Sequence, residues 1–233
     1  MGTVKHENRK HAKLSASGSD RWLNCPPSVL LEEQFEDKTS DFAKEGTLAH
    51  EFGELMLLLF CCKITRHEYD RRRKELKKSE FFSREMEPQV LKYVNYVTEQ
   101  LSAARSKTPG AEILIEARLD YSLFVEGGFG TGDTVIVSDN CLEVIDLKYG
   151  RGVAVDAENN SQLKLYGLGA LLEFDMFYDI KTVKLTVVQP RLNSISTWEI
   201  SREDLLSWAK NVVAPAAIQA LEGEGEQKAG SWC

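Results

Sequence analysis

The chain has 233 residues, of which 42% are hydrophobic and 28% charged, with a formal net charge of −7. This is the composition of an ordinary soluble globular protein, long enough for one domain with a sizeable core. The longest apolar run, residues 55–62, is far too short to span a bilayer. The first ten residues contain no apolar signal region. A cytoplasmic protein without membrane attachment is therefore expected, and the five cysteines argue against a disulfide framework. The acidic net charge does not advertise a nucleic-acid ligand, but steering depends on local patches rather than on the total.

In chain order, residues 1–13 are polar and aperiodic and predict a mobile tail. A serine-led short helix follows, stopped by Pro26-Pro27. A long helix is predicted over 41–62. A basic helix over 66–79 carries Arg71, Arg72, Arg73 and Lys74, either as a solvated face or as a DNA phosphate contact. Met86, Val90, Val94, Val97 and Leu101 fall at helical spacing and predict an amphipathic helix over 84–107, ended by Thr108-Pro109-Gly110. Strands are predicted at 112–121, with Ile113, Ile115, Ala117 and Leu119 on one face, and at 130–137 and 141–148 around a short turn. A helix at 158–174, strands at 182–189 and 194–200, and one helix capped by Ser201 and running to 221 complete the order. Residues 222–233, acidic and glycine-rich at the start, predict a loose segment. The pattern implies an α/β fold, a mixed central sheet with helices on both faces.

The chemistry concentrates in Gly132-Asp133 and Asp146-Leu147-Lys148, on adjacent predicted strands. Two carboxylates are what a hard divalent cation needs beside a substrate phosphate. Lys148, two residues after Asp146, points to the same strand face and could orient or deprotonate a water. Asp146 lies in an apolar run, an unusual place for a charge without a partner. Glu143 alternates to the opposite face and is left out. Glu116 reads as a strand charge paired with Arg118.

This order resembles the PD-(D/E)XK nuclease superfamily, with its restriction-endonuclease-like fold, and within it the RecB-like exonucleases of phage and CRISPR-associated type. The resemblance spans residues 14–221 as a nuclease domain. It rests on Leu14-Ser-Ala-Ser leading to Cys25-Pro26, on Glu45-Gly-Thr-Leu-Ala-His50, on Gly132-Asp133, on Asp146-Leu147-Lys148, and on Gln162-Leu-Lys-Leu-Tyr166. It implies Mg²⁺ or Mn²⁺ held by His50, Asp133, Asp146 and the Leu147 carbonyl, with the histidine tilting preference toward Mn²⁺. It further implies Lys148 acting on water, and Gln162 and Tyr166 organising the site from one helix face. Taken alone, His50 would be an ordinary helix histidine, and Gln162 and Tyr166 a half-exposed helix face.

Several relatives of that kind clamp a 4Fe–4S cluster with one cysteine before the core and three after it. Cys25 and Cys233 occupy two such places, but a cluster needs four thiolates, so one is expected only in a chain continuing past Cys233. The expected function is a metal-dependent deoxyribonuclease of phage or mobile-element recombination, with DNA and a recombinase or helicase as partners. The alternatives are a structure-specific endonuclease and a non-catalytic DNA-binding or assembly subunit.

Overall fold

A computed structural model describes residues 12–35 and 40–233. Most of the expected tail therefore lies outside the described residues. Ala12 is already buried, and Lys13 pairs with Glu33 at 2.8 Å, so packing begins before residue 14.

The elements are α1 (Ser19–Asn24), α2 (Ser28–Glu32), α3 (Asp41–Phe60), α4 (Arg66–Leu76), α5 (Met86–Lys107), β1 (Glu112–Asp120), β2 (Phe129–Ser138), β3 (Asn140–Leu147), α6 (Ser161–Phe174), β4 (Ile180–Gln189), β5 (Ser194–Ser201), α7 (Arg202–Trp208) and α8 (Ala214–Glu222). Side-chain oxygens cap four of the helices: Thr65 for α4, Asn160 for α6, Ser201 for α7 and Ser40 for α3 each accept a bond from a first-turn amide. The short α2 was not expected from sequence; Pro27, with φ −62°, is preorganised to start it. The single C-terminal helix predicted to 221 is observed as one helical stretch, Arg202 to Glu222, but with an irregular middle. Pro215 removes one amide and crowds the preceding turn, and the chain widens into a π turn at Ala209–Val213 before α8.

The five strands lie in sequence order, β1-β2-β3-β4-β5, as the mixed α/β sheet that the pattern implied. All neighbours are antiparallel except β3 and β4, which are parallel and connected through α6. One face packs on α1, α6, α7 and α8 around Leu142, Val144, Leu165 and Leu185. The other packs on α3 and α5 around Phe52, Val90, Tyr93, Ile136 and Ile145. The predicted stripe of α5 is buried throughout.

The predicted alternation of β1 is corrected. Ile113 and Ile115 face α3 and α5, but Ala117 and Leu119 face α6. The change of side occurs at Glu116, whose φ of 50° is left-handed in mid-strand. β2 changes sides at the same level: Thr134 meets Tyr93 of α5, whereas Gly130 lies against Tyr166 of α6. No helix among the described residues is long and apolar enough to cross a membrane.

A Cβ on Gly130 would lie 2.6 Å from the buried Tyr166 ring. Gly130→Ala relieves glycine's strand penalty of about 0.5–1 kcal/mol, but overpacking costs roughly 1–3 kcal/mol. The variant is expected to unfold at lower urea than wild type; an equal or higher midpoint would show that the ring yields freely.

Candidate functional site

The site forms where β2 leaves β3. Their pairing ends at Thr134–Ile145. Beyond it, the Leu147 amide donates to Asp133 Oδ2 at 2.7 Å, so a side chain takes the place of a ladder carbonyl. The other oxygen, Oδ1, accepts from His50 Nδ1 at 2.9 Å. His50 is brought there by α3, which packs on α5 through Leu48, Ala49 and Phe52. A buried 2.7 Å bond between Tyr93 OH and Thr134 Oγ1 fixes β2 beside Asp133.

Glu116 completes the group. Its neighbours Ile115 and Ala117 pair with Thr134 and Gly132, so it lies across from Asp133. Ligand atoms of His50, Glu116 and Asp133 lie within 4.8 Å of one another. One nitrogen and two carboxylates grouped in this way offer the ligand types that could hold a divalent cation. The expected pairing of Glu116 with Arg118 is a correction: Arg118 stacks instead on Phe129, 3.5 Å from the ring centre. The missed signal was register, since counting back from Asp133 across the hairpin reaches Glu116.

Asp146 is buried and is not part of that trio. It lies in a second group on the α6 side. Lys148 Nζ is 2.9 Å from Asp146 Oδ2 and donates to Gln162 Oε1 at 3.0 Å, and Gln162 Nε2 donates to Tyr166 OH at 3.1 Å. The Lys148–Asp146 contact is close but poorly aligned, leaving Oδ2 without a well-directed hydrogen bond. The charge of the Lys148 ammonium is what holds this buried oxygen. Glu143 does alternate away, into a network with Tyr96, Thr186 and Lys184 on the α5 side.

The two groups share one field. Burial works against a charged His50, but the Asp133 charge and hydrogen bond, aided by Asp146 and Glu116, raise its pKa to about 9. Desolvation pushes Glu116 up to about 7 although its side chain reaches solvent, with the Asp133 charge adding to the shift. Burial raises Asp146, with Lys148 pulling it back. Burial also opposes the Lys148 ammonium, yet Asp146 outweighs it and holds Lys148 above its ordinary value.

The basic helix is only half available. Arg73 and Lys77 pair with Glu87, and Arg72 Nη2 donates to Glu54 at 3.4 Å. Arg71 and Lys74 are exposed, with no acid paired to them among the described residues. The two end cysteines are brought to one place: the Lys228 amide lies 3.4 Å from Cys25 Sγ, and Cys233 Sγ lies 3.9 Å from the Lys228 carbonyl. Cys61, Cys62 and Cys141 lie elsewhere, in the α3 turn and in β3.

The fold and site define an α/β protein with a histidine–carboxylate centre where two strands of a mixed sheet part. Residues 11–233 match the family described as "Protein of unknown function (DUF2800)", and the chain belongs to that family. Among solved structures it is similar to one titled "Crystal structure of SSO0001", at 15% identity over 90% of this chain and 88% of that one, with a TM-score of 0.28. No feature of the site rests on that likeness.

A cation needs the imidazole lone pair, and His50 is protonated below about 9 in the free protein. Mn²⁺ binding is therefore expected to release about one proton near pH 8, with affinity rising with pH until about 9. Calorimetry in buffers of different ionisation enthalpy measures the release. A pH-independent affinity between 7 and 9 would exclude His50 as a ligand.

Proposed function

We propose that this protein is a metal-dependent DNA nuclease of the RecB-like PD-(D/E)XK kind, acting as an exonuclease in phage or mobile-element recombination. The observation that carries the reading is the continuity of the two groups. His50, Glu116 and Asp133 meet at the strand parting, and the Leu147 amide bonded to Asp133 lies between Asp146 and Lys148 in sequence.

On this reading His50, Glu116 and Asp133 hold Mg²⁺ or Mn²⁺, with Asp146 Oδ2 as a further oxygen. When bound, the cation neutralises charge at the scissile phosphate. Lys148 is narrowed to one role. A general base must be neutral, and Asp146 stabilises the ammonium. Lys148 therefore donates hydrogen bonds that fix the attacking water or steady negative charge developing on the phosphate. Gln162 aims it by accepting a hydrogen bond from its ammonium, and Tyr166, wedged against Gly130, aims Gln162. Exposed Arg71 and Lys74 supply phosphate contacts that Arg72 and Arg73 do not.

Incubation with linear and circular DNA in Mg²⁺ or Mn²⁺ tests the reading. Loss of linear DNA alone is expected. Nicked circles would make it an endonuclease, and inertness in both metals with retained DNA binding would make it a binding subunit.

Lys148→Ala is expected to lower cleavage by on the order of 10²–10³ while leaving DNA affinity within a few-fold. Single-turnover rates and anisotropy measure the two separately. Near-normal turnover would remove Lys148 from the mechanism.

A further inference from the structure

Beyond Lys148 the chain turns through Tyr149, Gly150 and Arg151 and builds a second cluster at the same end of the sheet, on the α3 and α5 side. Arg191, placed by the 3-10 turn Pro190–Leu192 that follows β4, leaves only 10% of its side-chain surface exposed. Its guanidinium stacks 4.7 Å from the Tyr149 ring centre. Arg191 Nη1 donates to Glu45 Oε2 at 2.9 Å, and Nη2 donates to Glu85 Oε1 at 3.2 Å. Arg151 Nη2 donates to that same Glu85 oxygen. Two guanidinium groups thus converge on one carboxylate oxygen.

The cluster also holds buried polar atoms that lack a well-formed protein hydrogen bond: Arg191 Nε, which can only donate, and the hydroxyls of Tyr149 and Ser83, which lie close enough to partner each other. Half of the described protein's buried, unpartnered side-chain polar atoms fall here, and every one of these three can donate. A left-over Arg191 Nε–H beside a second guanidinium and two hydroxyls matches an anion with several acceptor oxygens. Glu85 is the displaceable acid. It is 42% exposed, against 24% for Glu45, and although it stands at the α5 N-cap its side chain makes no capping bond. With Glu85 displaced, two guanidinium groups and the remaining Glu45 leave one net positive charge, the complement of one phosphodiester.

We propose that Arg191, Arg151, Tyr149 and Ser83 form a pocket for a single backbone phosphate of the DNA strand, and that Glu85 occupies it in the free protein as a phosphate mimic. The proposal rests on the nuclease reading for its choice of phosphate. It adds a built-in competitor: DNA must displace the Glu85 carboxylate, so strand entry and release of Arg151 are one event.

The test is anisotropy of a fluorescein-labelled oligonucleotide in EDTA at several salt concentrations, which reads binding without cleavage. Arg151 is 57% exposed, so neither Arg151→Ala nor Glu85→Gln disturbs the core. Arg151→Ala is expected to weaken binding by roughly 10-fold and lower the salt slope by about one. Glu85→Gln is expected to tighten it by roughly 3- to 10-fold. If both variants bind as wild type does, the clasp is a structural ion-pair network and the proposal is overturned. A wild type that binds no oligonucleotide in EDTA overturns this proposal, whereas the nuclease reading falls only if nothing is cut in Mg²⁺ or Mn²⁺. Shifts as expected in a protein that cuts nothing in Mg²⁺ or Mn²⁺ uphold the pocket and overturn hydrolysis alone.

Discussion

The site depends on the parting of β2 from β3 at Asp133. Where the ladder stops, one backbone amide, that of Leu147, would be left without a carbonyl, and the Asp133 side chain supplies the acceptor instead. That bond ties the carboxylate to the strand bearing Asp146 and Lys148 and leaves its other oxygen for His50. The pairing that ordinarily builds a sheet is thereby converted into a polar centre, in a region whose surroundings are otherwise apolar.

The parting is matched by strain on the other side of β2. Glu116 takes a left-handed backbone, a conformation worth on the order of 1–3 kcal/mol for a residue with a Cβ. It is retained where β1 and β2 both change the face they present, so that Ile113 and Thr134 serve the α3–α5 layer while Leu119 and Gly130 serve α6. Because the sheet turns over at this level, a histidine from one layer and a lysine–glutamine–tyrosine chain from the other reach the same stretch of backbone.

Electrostatics then sets what the site can do before any ligand arrives. Clustered acids hold a proton on His50, and desolvation, with the Asp133 charge beside it, raises the Glu116 pKa to about 7. Positive charge supplied from outside relieves both, which is the condition under which a cation, on the proposed reading, replaces protons. The same logic operates in the neighbouring clasp, where the Glu85 carboxylate satisfies two arginines.

Much of this was legible in the sequence. Helical spacing gave the buried stripe of α5, alternation and turn residues gave the five strands, and the order of elements gave a mixed sheet with helices on both faces, because these signals are local and repeat with the period of the element. Asp146 and Lys148 could be placed on one strand face for the same reason. Register could have set Glu116 opposite Asp133, but tertiary structure decided which way its side chain turns, since its left-handed backbone breaks the alternation from which its partner was inferred. It also decided which basic residues remain free, because Arg72 and Arg73 meet Glu54 and Glu87 on other helices. Likewise, Cys25 and Cys233 both approach the Lys228 backbone, and Arg151 and Arg191 both bond Glu85, joining residues far apart in sequence whose contacts leave no periodic trace in the chain.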